Sequence, residues 1–92
     1  MKYEIKHTTQ FKKDLKSATK QNKNLDKLFE IIEQLANDIT LEPKHRDHNL
    51  TGSYISYREC HLEPDWLLIY KKDSNTSVLL LYRLGSHSEL FD

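Results

Sequence analysis

Apolar residues near the start of the chain alternate with charged ones and then change to a helical spacing. Tyr3 and Ile5 alternate with lysine and glutamate, and this period of two predicts a short, half-buried strand. Thr8 or Thr9 can then cap a first helix. Its apolar positions recur at helical spacing with lysines between them: Phe11, Leu15 and Ala18.

The second predicted helix has the most regular pattern in the sequence. Polar residues 21–24 interrupt the first helix and supply a new cap. The apolar positions that follow fit an amphipathic helix that ends at about Asp38. They are Leu25, Leu28, Phe29, Ile32, Leu35, Ala36 and Ile39. Because Pro43 ends the helical possibilities, the polar stretch 41–52 is predicted to be a loop.

The second half of the chain changes to aromatic and β-favouring residues. Three strands are predicted, at residues 54–62, 66–70 and 78–84. The connections 63–65 and 72–75 are short and rich in turn-forming residues, so these strands are expected to form an antiparallel meander. The whole pattern predicts one α+β domain, 1–92, with the order β-α-α-β-β-β and two N-terminal helices packed on an antiparallel sheet.

Composition changes this picture mainly by exclusion. Cys60 is the only cysteine, so neither an internal disulfide nor a thiolate metal cage is possible. The first residues lack the apolar run of a signal peptide, and no stretch approaches the roughly twenty apolar residues of a membrane span. We therefore expect a cytoplasmic protein with no membrane partner.

Side chains that can transfer protons are concentrated where the predicted sheet begins and ends. His61 ends one strand and Asp65 follows the turn, so a hairpin brings both side chains to one edge of the sheet. His48 lies in the loop that enters this sheet, and Gly85 lets the chain turn so that His87 folds back. An antiparallel meander can gather these residues around one concave face.

Such a cluster suits the cleavage of RNA by its own 2′-hydroxyl group, which needs a base, an acid and a cation for the phosphorane. Histidine can serve as base or acid near neutrality, and Asp65 can act as a base or orient an imidazolium. Arg83, near the end of the last strand, can bind phosphate oxygens. Trp66 and Phe91 offer flat faces for an unpaired base, although sequence alone favours core positions for both.

A metal site is the competing interpretation of the same residues. His45 and His48 lie in one loop, and His61 and Asp65 flank one turn, so both pairs are plausible ligands. Neither pair matches the HExxH pattern, and a third ligand in register is missing. No metal and no other cofactor is therefore predicted.

Three stretches of this chain strongly resemble the YafQ toxins of the RelE superfamily. They are residues 47–52 (DHNLTG), 57–70 (YRECHLEPDWLLIY) and 83–91 (RLGSHSELF). The resemblance covers essentially the whole chain and implies a microbial-ribonuclease-like α+β fold. It also implies a toxin that cleaves mRNA in the ribosomal A site, without a metal, leaving a 2′,3′-cyclic phosphate, and a DinJ-like or RelB-like antitoxin partner.

The resemblance also assigns roles to particular residues. The acid–base positions of the family fall on His48, His61, Asp65 and His87. Trp66 and Phe91 then support the substrate, and Arg83 lies near the phosphate. We expect His87 to be the general acid, with Asp65 or another histidine as the base.

The overall charge bears on whether the protein cuts mRNA on the ribosome or as free RNA. Fourteen basic and fourteen acidic residues give a formal net charge of zero, whereas relatives that dock on ribosomal RNA tend to be basic. A ribosome-independent ribonuclease is therefore an alternative. The first helix still carries a basic stripe, whose members Lys12, Lys13 and Lys16 are the candidate contacts with RNA or the ribosome, or simply a solvated helix face.

Two further alternatives do not involve catalysis. A toxin resembling the ParE proteins, which inhibit DNA gyrase by binding, would share the fold but would not need the acid–base cluster. A plain interaction module would carry the same polar residues as surface decoration. The histidines and Asp65 favour the ribonuclease over both.

Overall fold

The computed structural model describes residues 2–91 as a five-stranded sheet with two long helices on one face and a short helix on the other. The elements in chain order are β1 (Glu4–His7), α1 (Thr9–Lys20), α2 (Leu25–Ala36), β2 (His48–Asn49), β3 (Arg58–Glu63), β4 (Trp66–Asp73), β5 (Val78–Gly85) and α3 (His87–Phe91). The sheet order is β1-β5-β4-β3-β2. The predicted α+β class and both N-terminal helices are confirmed. Within residues 2–91, every helix is too short or too polar to cross a bilayer.

Side-chain caps define where the two long helices begin. The hydroxyl of Thr8 accepts a hydrogen bond from the backbone N–H of Phe11 at 2.9 Å and donates one to the carbonyl of Tyr82 at 2.8 Å. The structure therefore selects Thr8 from the two candidate caps and also ties the start of α1 to β5. Asn24 caps α2 through Lys27, as the polar break predicted.

The sheet confirms the meander and corrects the prediction of a purely antiparallel sheet. Strands β3, β4 and β5 pair antiparallel, but β1 pairs with β5 in parallel, with Ile5 opposite Leu79. Strand β4 occupies one edge of β5, so its other edge is free to accept β1 after the chain has crossed the helix layer. Alternation over four residues predicts a half-buried strand but carries no information on its direction.

Three local predictions also differ from the structure. The first meander strand begins at Arg58 rather than at residue 54, because residues 52–54 form a 3-10 turn that starts at Gly52 with φ +65°. The predicted loop 41–52 contains the 3-10 turn Pro43–His45 and the two-residue strand β2. Helix α2 ends two residues early because Asp38 adopts a left-handed conformation.

The two faces of the sheet have different environments. Helices α1 and α2 pack on one face and form the main core with residues such as Leu68 and Leu79. The other face, which we call the second face, has a smaller core made of Leu67, Ile69 and Leu90. Helix α3 and the chain around residues 50–57 cover this second core, so the second face lacks a full helix layer.

Loss of the Thr8 hydroxyl should destabilise the fold measurably. We expect Thr8→Val to lower the free energy of unfolding by about 1–2 kcal/mol, because it removes both the helix cap and the bond to β5. Thr8→Ser should restore most of the loss, and Thr9→Val is the matched control. Urea unfolding followed by the fluorescence of the single tryptophan measures all three, and equal costs at Thr8 and Thr9 would refute the assigned cap.

Candidate active site

Strand register places three titratable side chains on the second face. His48 of β2 lies directly opposite Glu59 of β3, and residues opposite each other in an antiparallel pair share a face. His61 follows Glu59 by two positions, which returns its side chain to the same face. Glu59 and His61 in turn lie opposite Ile69 and Leu67, the two strand residues of the second core.

Glu59 is the centre of this arrangement. Its Oε1 atom lies 3.1 Å from Nε2 of His61 and 3.9 Å from Nε2 of His48. The residue is only 5% exposed, and a buried carboxylate is costly unless cationic or hydrogen-bonding groups face it. Nε2 of His61, at 3.1 Å, supplies such a group. Glu59 was not among the site residues predicted from the sequence, although its position two residues before His61 in a predicted strand indicated a shared face.

Asp65 fixes the position of His87 by two hydrogen bonds. Its Oδ1 atom accepts hydrogen bonds from the backbone N–H of His87 at 2.9 Å and from Nδ1 of the same residue at 2.6 Å. These bonds, first the backbone one and then the side-chain one, lower the pKa of Asp65 below its ordinary value. Asp65 is therefore a carboxylate near neutrality, and Nε2 of His87 is the ring nitrogen left for chemistry.

Helix α3 presents His87 and was not predicted as a helix. The hydroxyl of Ser86 accepts from the backbone N–H of Glu89 at 3.2 Å, and the Glu89 carboxylate accepts from the Ser86 N–H at 2.8 Å, which is a capping box. A Cβ atom on Gly85 would lie 3.2 Å from Oε1 of Glu89 and 3.3 Å from Leu90. The absence of that atom lets α3 fold back tightly against the end of β5, as the sequence predicted for the chain after Gly85.

The rings form a continuous group. The centroid of His61 lies 5.7 Å from that of His87 and 6.4 Å from that of His48, so His61 lies between the other two. The ring of Phe91, which is 43% exposed, lies 6.5 Å from His87. We call His48, Glu59, His61, Asp65 and His87 the histidine cluster. All four predicted acid–base residues lie in it.

The protonation of His48 follows from its partner. Its Nδ1 atom lies 2.6 Å from the carbonyl oxygen of Arg46. A carbonyl oxygen can only accept, so Nδ1 carries the proton. In the neutral ring, Nε2 is then an unprotonated acceptor on the side of Glu59. The side chain is 50% exposed and can be reached from solvent.

A hydrogen-bonded anchor fixes the segment that carries His48. Arg58 donates from Nε to Asp47 at 3.3 Å and to the Tyr70 hydroxyl at 3.2 Å, and from a terminal nitrogen to Asn49 at 2.7 Å. The Tyr70 hydroxyl donates to Asp47 as well. Both neighbours of His48 in the chain are thereby tied to the sheet. Cys60 is buried nearby, and burial raises the pKa of its thiol, so it is not a nucleophile candidate.

Trp66 is not a stacking platform, and this prediction is corrected. The residue is 2% exposed and belongs to the main core on the helix side of the sheet. The ammonium group of Lys23 lies 5.8 Å from the ring centroid and covers the indole further. The continuous apolar run after Trp66 did not reveal which face its side chain would take.

Arg83 is engaged elsewhere in the fold. Its guanidinium group donates to both carboxylate oxygens of Asp14 on α1, at 2.8 and 3.3 Å. The same carboxylate accepts from the backbone N–H of Leu84 at 3.0 Å, and hydrogen bonding to Asp14 raises the pKa of Arg83. Arg83 therefore joins α1 to β5, and a phosphate could be bound only in exchange for Asp14.

The other residues singled out by the sequence are dispersed. Lys12, Lys13 and Lys16 are exposed on α1, in the helix layer on the side of the sheet opposite the histidine cluster. His45 does not pair with His48, since its Nδ1 atom donates to the carbonyl of His61 at 2.7 Å. A different group could hold a metal ion, because one ligand atom each from Glu59, His61 and His87 lie within 4.8 Å of one another.

The fold and the cluster together define a small α+β domain with histidine and carboxylate side chains grouped on the thinly covered face of its sheet. Residues 3–92 match the sequence model of the family described as "Bacterial toxin of type II toxin-antitoxin system, YafQ". The mRNA interferase toxin YafQ of Escherichia coli K12 is 39% identical over 89 residues, which are 96% of this chain and 95% of that protein. The chain belongs to the YafQ family of bacterial type II toxins.

Solved structures agree with this assignment. A structure of the E. coli DinJ-YafQ toxin-antitoxin complex matches with a TM-score of 0.90 and 38% identity, over 100% of both chains. A metal-bound toxin from Helicobacter pylori matches with a TM-score of 0.92 and 44% identity, over 99% of this chain and 100% of the other. The family resemblance inferred from the sequence is confirmed.

The Asp65–His87 contact predicts a particular pH dependence of stability. A carboxylate with a lowered folded pKa stabilises the fold above its unfolded value, 3.8, and loses that contribution as the pH falls through the folded pKa. We expect Asp65→Asn to be less stable than the wild type at about pH 5, and the difference to shrink steadily below 3.8. Urea unfolding across this range measures it. A difference that stays constant down to about pH 2 would contradict the contact.

Proposed function

We propose that this toxin is an mRNA endoribonuclease whose histidine cluster transfers the protons while the 2′-hydroxyl of the RNA attacks the adjacent phosphodiester. The observation that carries the proposal is the convergence of three imidazoles and two carboxylates on one face. The E. coli relative is an mRNA interferase toxin, which supports both the activity and the substrate.

His48 is assigned the role of general base. Its Nδ1 proton is committed to the Arg46 carbonyl, which leaves Nε2 of the neutral ring free to accept the proton of the 2′-hydroxyl. Asp65 was the other candidate base in the sequence. Its lowered pKa and its engagement by His87 make it a weak base, so we assign it to orienting His87.

His87 is assigned the role of general acid. Its Nδ1 proton is directed to Asp65, which orients the ring and leaves Nε2 to deliver a proton to the departing 5′-oxygen. The position of His61 between His48 and His87 suits an in-line displacement, in which base and acid act on opposite sides of the phosphate. His61, held by Glu59, then lies beneath the phosphorane, where an N–H group of its imidazole stabilises the developing charge.

A metal-assisted cut is a second candidate, because Glu59, His61 and His87 can act as three ligands. The hydrogen bond from His87 to Asp65 is of the kind that orients a metal-bound histidine. A metal-bound toxin and a copper-bound mutant toxin of H. pylori are among the similar structures. We favour the metal-independent reaction, because the same three groups are needed as acid, hydrogen-bond donor and support.

The ribosome is proposed as the place of action in the cytoplasm, with mRNA cut in the A site. Lys12, Lys13 and Lys16 form an exposed basic stripe that lies away from the cluster, which suits docking on ribosomal RNA better than gripping the cleaved strand. The neutral net charge keeps cleavage of free RNA as the alternative. Inhibition of DNA gyrase of the ParE type does not require the histidine cluster, and it is therefore not favoured.

A DinJ-like or RelB-like antitoxin is proposed as the protein partner. The matched E. coli structures are of a DinJ-YafQ toxin-antitoxin complex, and the match covers the full length of this chain. An enzyme that cuts many messages needs a neutralising partner in the cell that makes it. The thinly covered second face, where the cluster lies, is the surface whose occlusion would block activity.

The decisive substitution is His87→Ala. General acid catalysis typically contributes about 10²- to 10⁴-fold, so we expect a loss of cleavage rate of that size. The matched control is His7→Ala, which removes an exposed histidine from β1 at the opposite edge of the sheet from β2. Mapping of 5′ ends in a translation reaction and on a naked transcript measures both variants and the need for ribosomes. Undiminished cleavage by His87→Ala in both reactions would refute the assigned role.

A further inference from the structure

A row of aromatic rings extends from the histidine cluster across the second face, and we propose that it is a track that stacks the bases of single-stranded RNA beside the cleaved phosphodiester. The row, which we call the aromatic row, consists of Phe91, Tyr54, Tyr57 and Tyr82. This inference rests on the proposed ribonuclease function and adds to it the groups that hold the substrate strand.

The rings are in unbroken contact with the cluster. Phe91 lies 6.5 Å from His87 and 5.9 Å from Tyr54, in an edge-to-face arrangement with the latter. Tyr54 lies 6.3 Å from both Tyr57 and Tyr82, whose rings are 4.4 Å apart. A strand of RNA whose phosphate lies at His87 would therefore pass directly over flat side chains.

Four separate segments build the aromatic row, and they share one support. Tyr54 ends a 3-10 turn, Tyr57 precedes β3, Tyr82 lies on β5 and Phe91 ends α3. Beneath them, Leu67 and Ile69 are fully buried. The three tyrosines are half-buried and Phe91 is 43% exposed, so the row covers the second core and still presents ring surface to solvent.

A cationic group at the aromatic row favours RNA over an apolar occupant. The ammonium group of Lys71 lies 5.8 Å from the centroid of Tyr57, whereas the guanidinium of Arg83 is held by Asp14. Aromatic faces for the bases, with cations for the phosphates, are the combination by which proteins hold single strands without reading their sequence.

The aromatic row also provides the stacking surface that the sequence had assigned in part to Trp66, which is buried. The sequence assigned stacking to Trp66 and Phe91, but only Phe91 is at the surface. Tyr54 takes the place next to Phe91 because the turn that begins at Gly52 returns the chain over the sheet. Tyr54 contacts every other member of the row, so it is the residue whose loss should matter most.

The test uses 2′-O-methyl decamers of adenosine and of uridine, which cannot be cleaved because the attacking hydroxyl is blocked. Stacking on one aromatic side chain corresponds to a change of about fivefold to a hundredfold in Kd. We expect Tyr54→Leu to weaken binding of at least one decamer by that factor, measured by fluorescence anisotropy. Tyr54→Phe and Tyr54→Trp should bind as tightly as the wild type or more tightly.

The matched control is Tyr3→Leu, which removes a partly buried tyrosine from the helix side of the sheet, where Lys72 covers its ring at 5.2 Å. Its Kd should not change. In cleavage assays Tyr54→Leu should raise KM and leave kcat nearly unchanged, whereas His87→Ala should lower kcat and leave the decamer Kd unchanged. The two readouts therefore separate failure of the track from failure of the nuclease assignment.

Three results would overturn the proposal. The first is a wild-type protein that binds neither decamer, and the second is a Tyr54→Leu variant that is folded by circular dichroism yet keeps the wild-type Kd. The third is a Tyr54→Leu variant that keeps its RNA affinity but loses affinity for the antitoxin, since the aromatic row would then be a protein-binding surface. Weak binding by Tyr54→Leu together with weak binding by Tyr54→Trp would count against stacking as well.

Discussion

The two hydrogen bonds that His87 donates to Asp65 form the contact on which the site depends. One carboxylate oxygen accepts from both the backbone and the ring of His87, and so joins the turn after β3 to the start of α3. Strands β3 and β5 are separated by β4, so this contact links parts of the sheet that do not pair directly. The same contact uses Nδ1 and leaves Nε2 as the free ring nitrogen of His87. One carboxylate therefore sets both the position of the ring and the nitrogen that is available.

The second face carries both a small hydrophobic core and the histidine cluster. Leu67 and Ile69 form its core, and the same residues stand opposite His61 and Glu59 in the sheet. Instead of a full helix layer, a short helix and a loop cover them, which leaves ring surface and imidazoles within reach of a polymer. A carboxylate buried beneath two histidines would lower the stability of the fold if this core had no other role. The carboxylate of Glu59 instead helps to position the histidine side chains of the cluster.

Sequence periodicity was sufficient for the elements with strong local patterns, and insufficient where distant segments decide. The two helices, their caps and the meander were predictable because spacing and turn residues are local properties. The parallel pairing of β1, the partnership of Arg83 with Asp14 and the burial of Trp66 depend on contacts between segments far apart in the chain. Glu59 and α3 could have been predicted from the sequence. Alternation in β3 indicated the position of Glu59, and the Ser86–Glu89 spacing indicated the capped start of α3.

Cleavage of a synthetic RNA with one 2′-deoxy nucleotide immediately 5′ of the mapped cut tests most directly whether the cluster drives attack by the substrate's own hydroxyl. The reaction is run beside the all-ribose RNA, and the new 3′ ends are identified by mass spectrometry. We predict a cut with a 2′,3′-cyclic phosphate in the all-ribose RNA and no cut at the deoxy position. Cleavage of the deoxy bond, or new 3′ ends of the all-ribose RNA that carry a hydroxyl group from the start, would contradict acid–base catalysis by the histidine cluster.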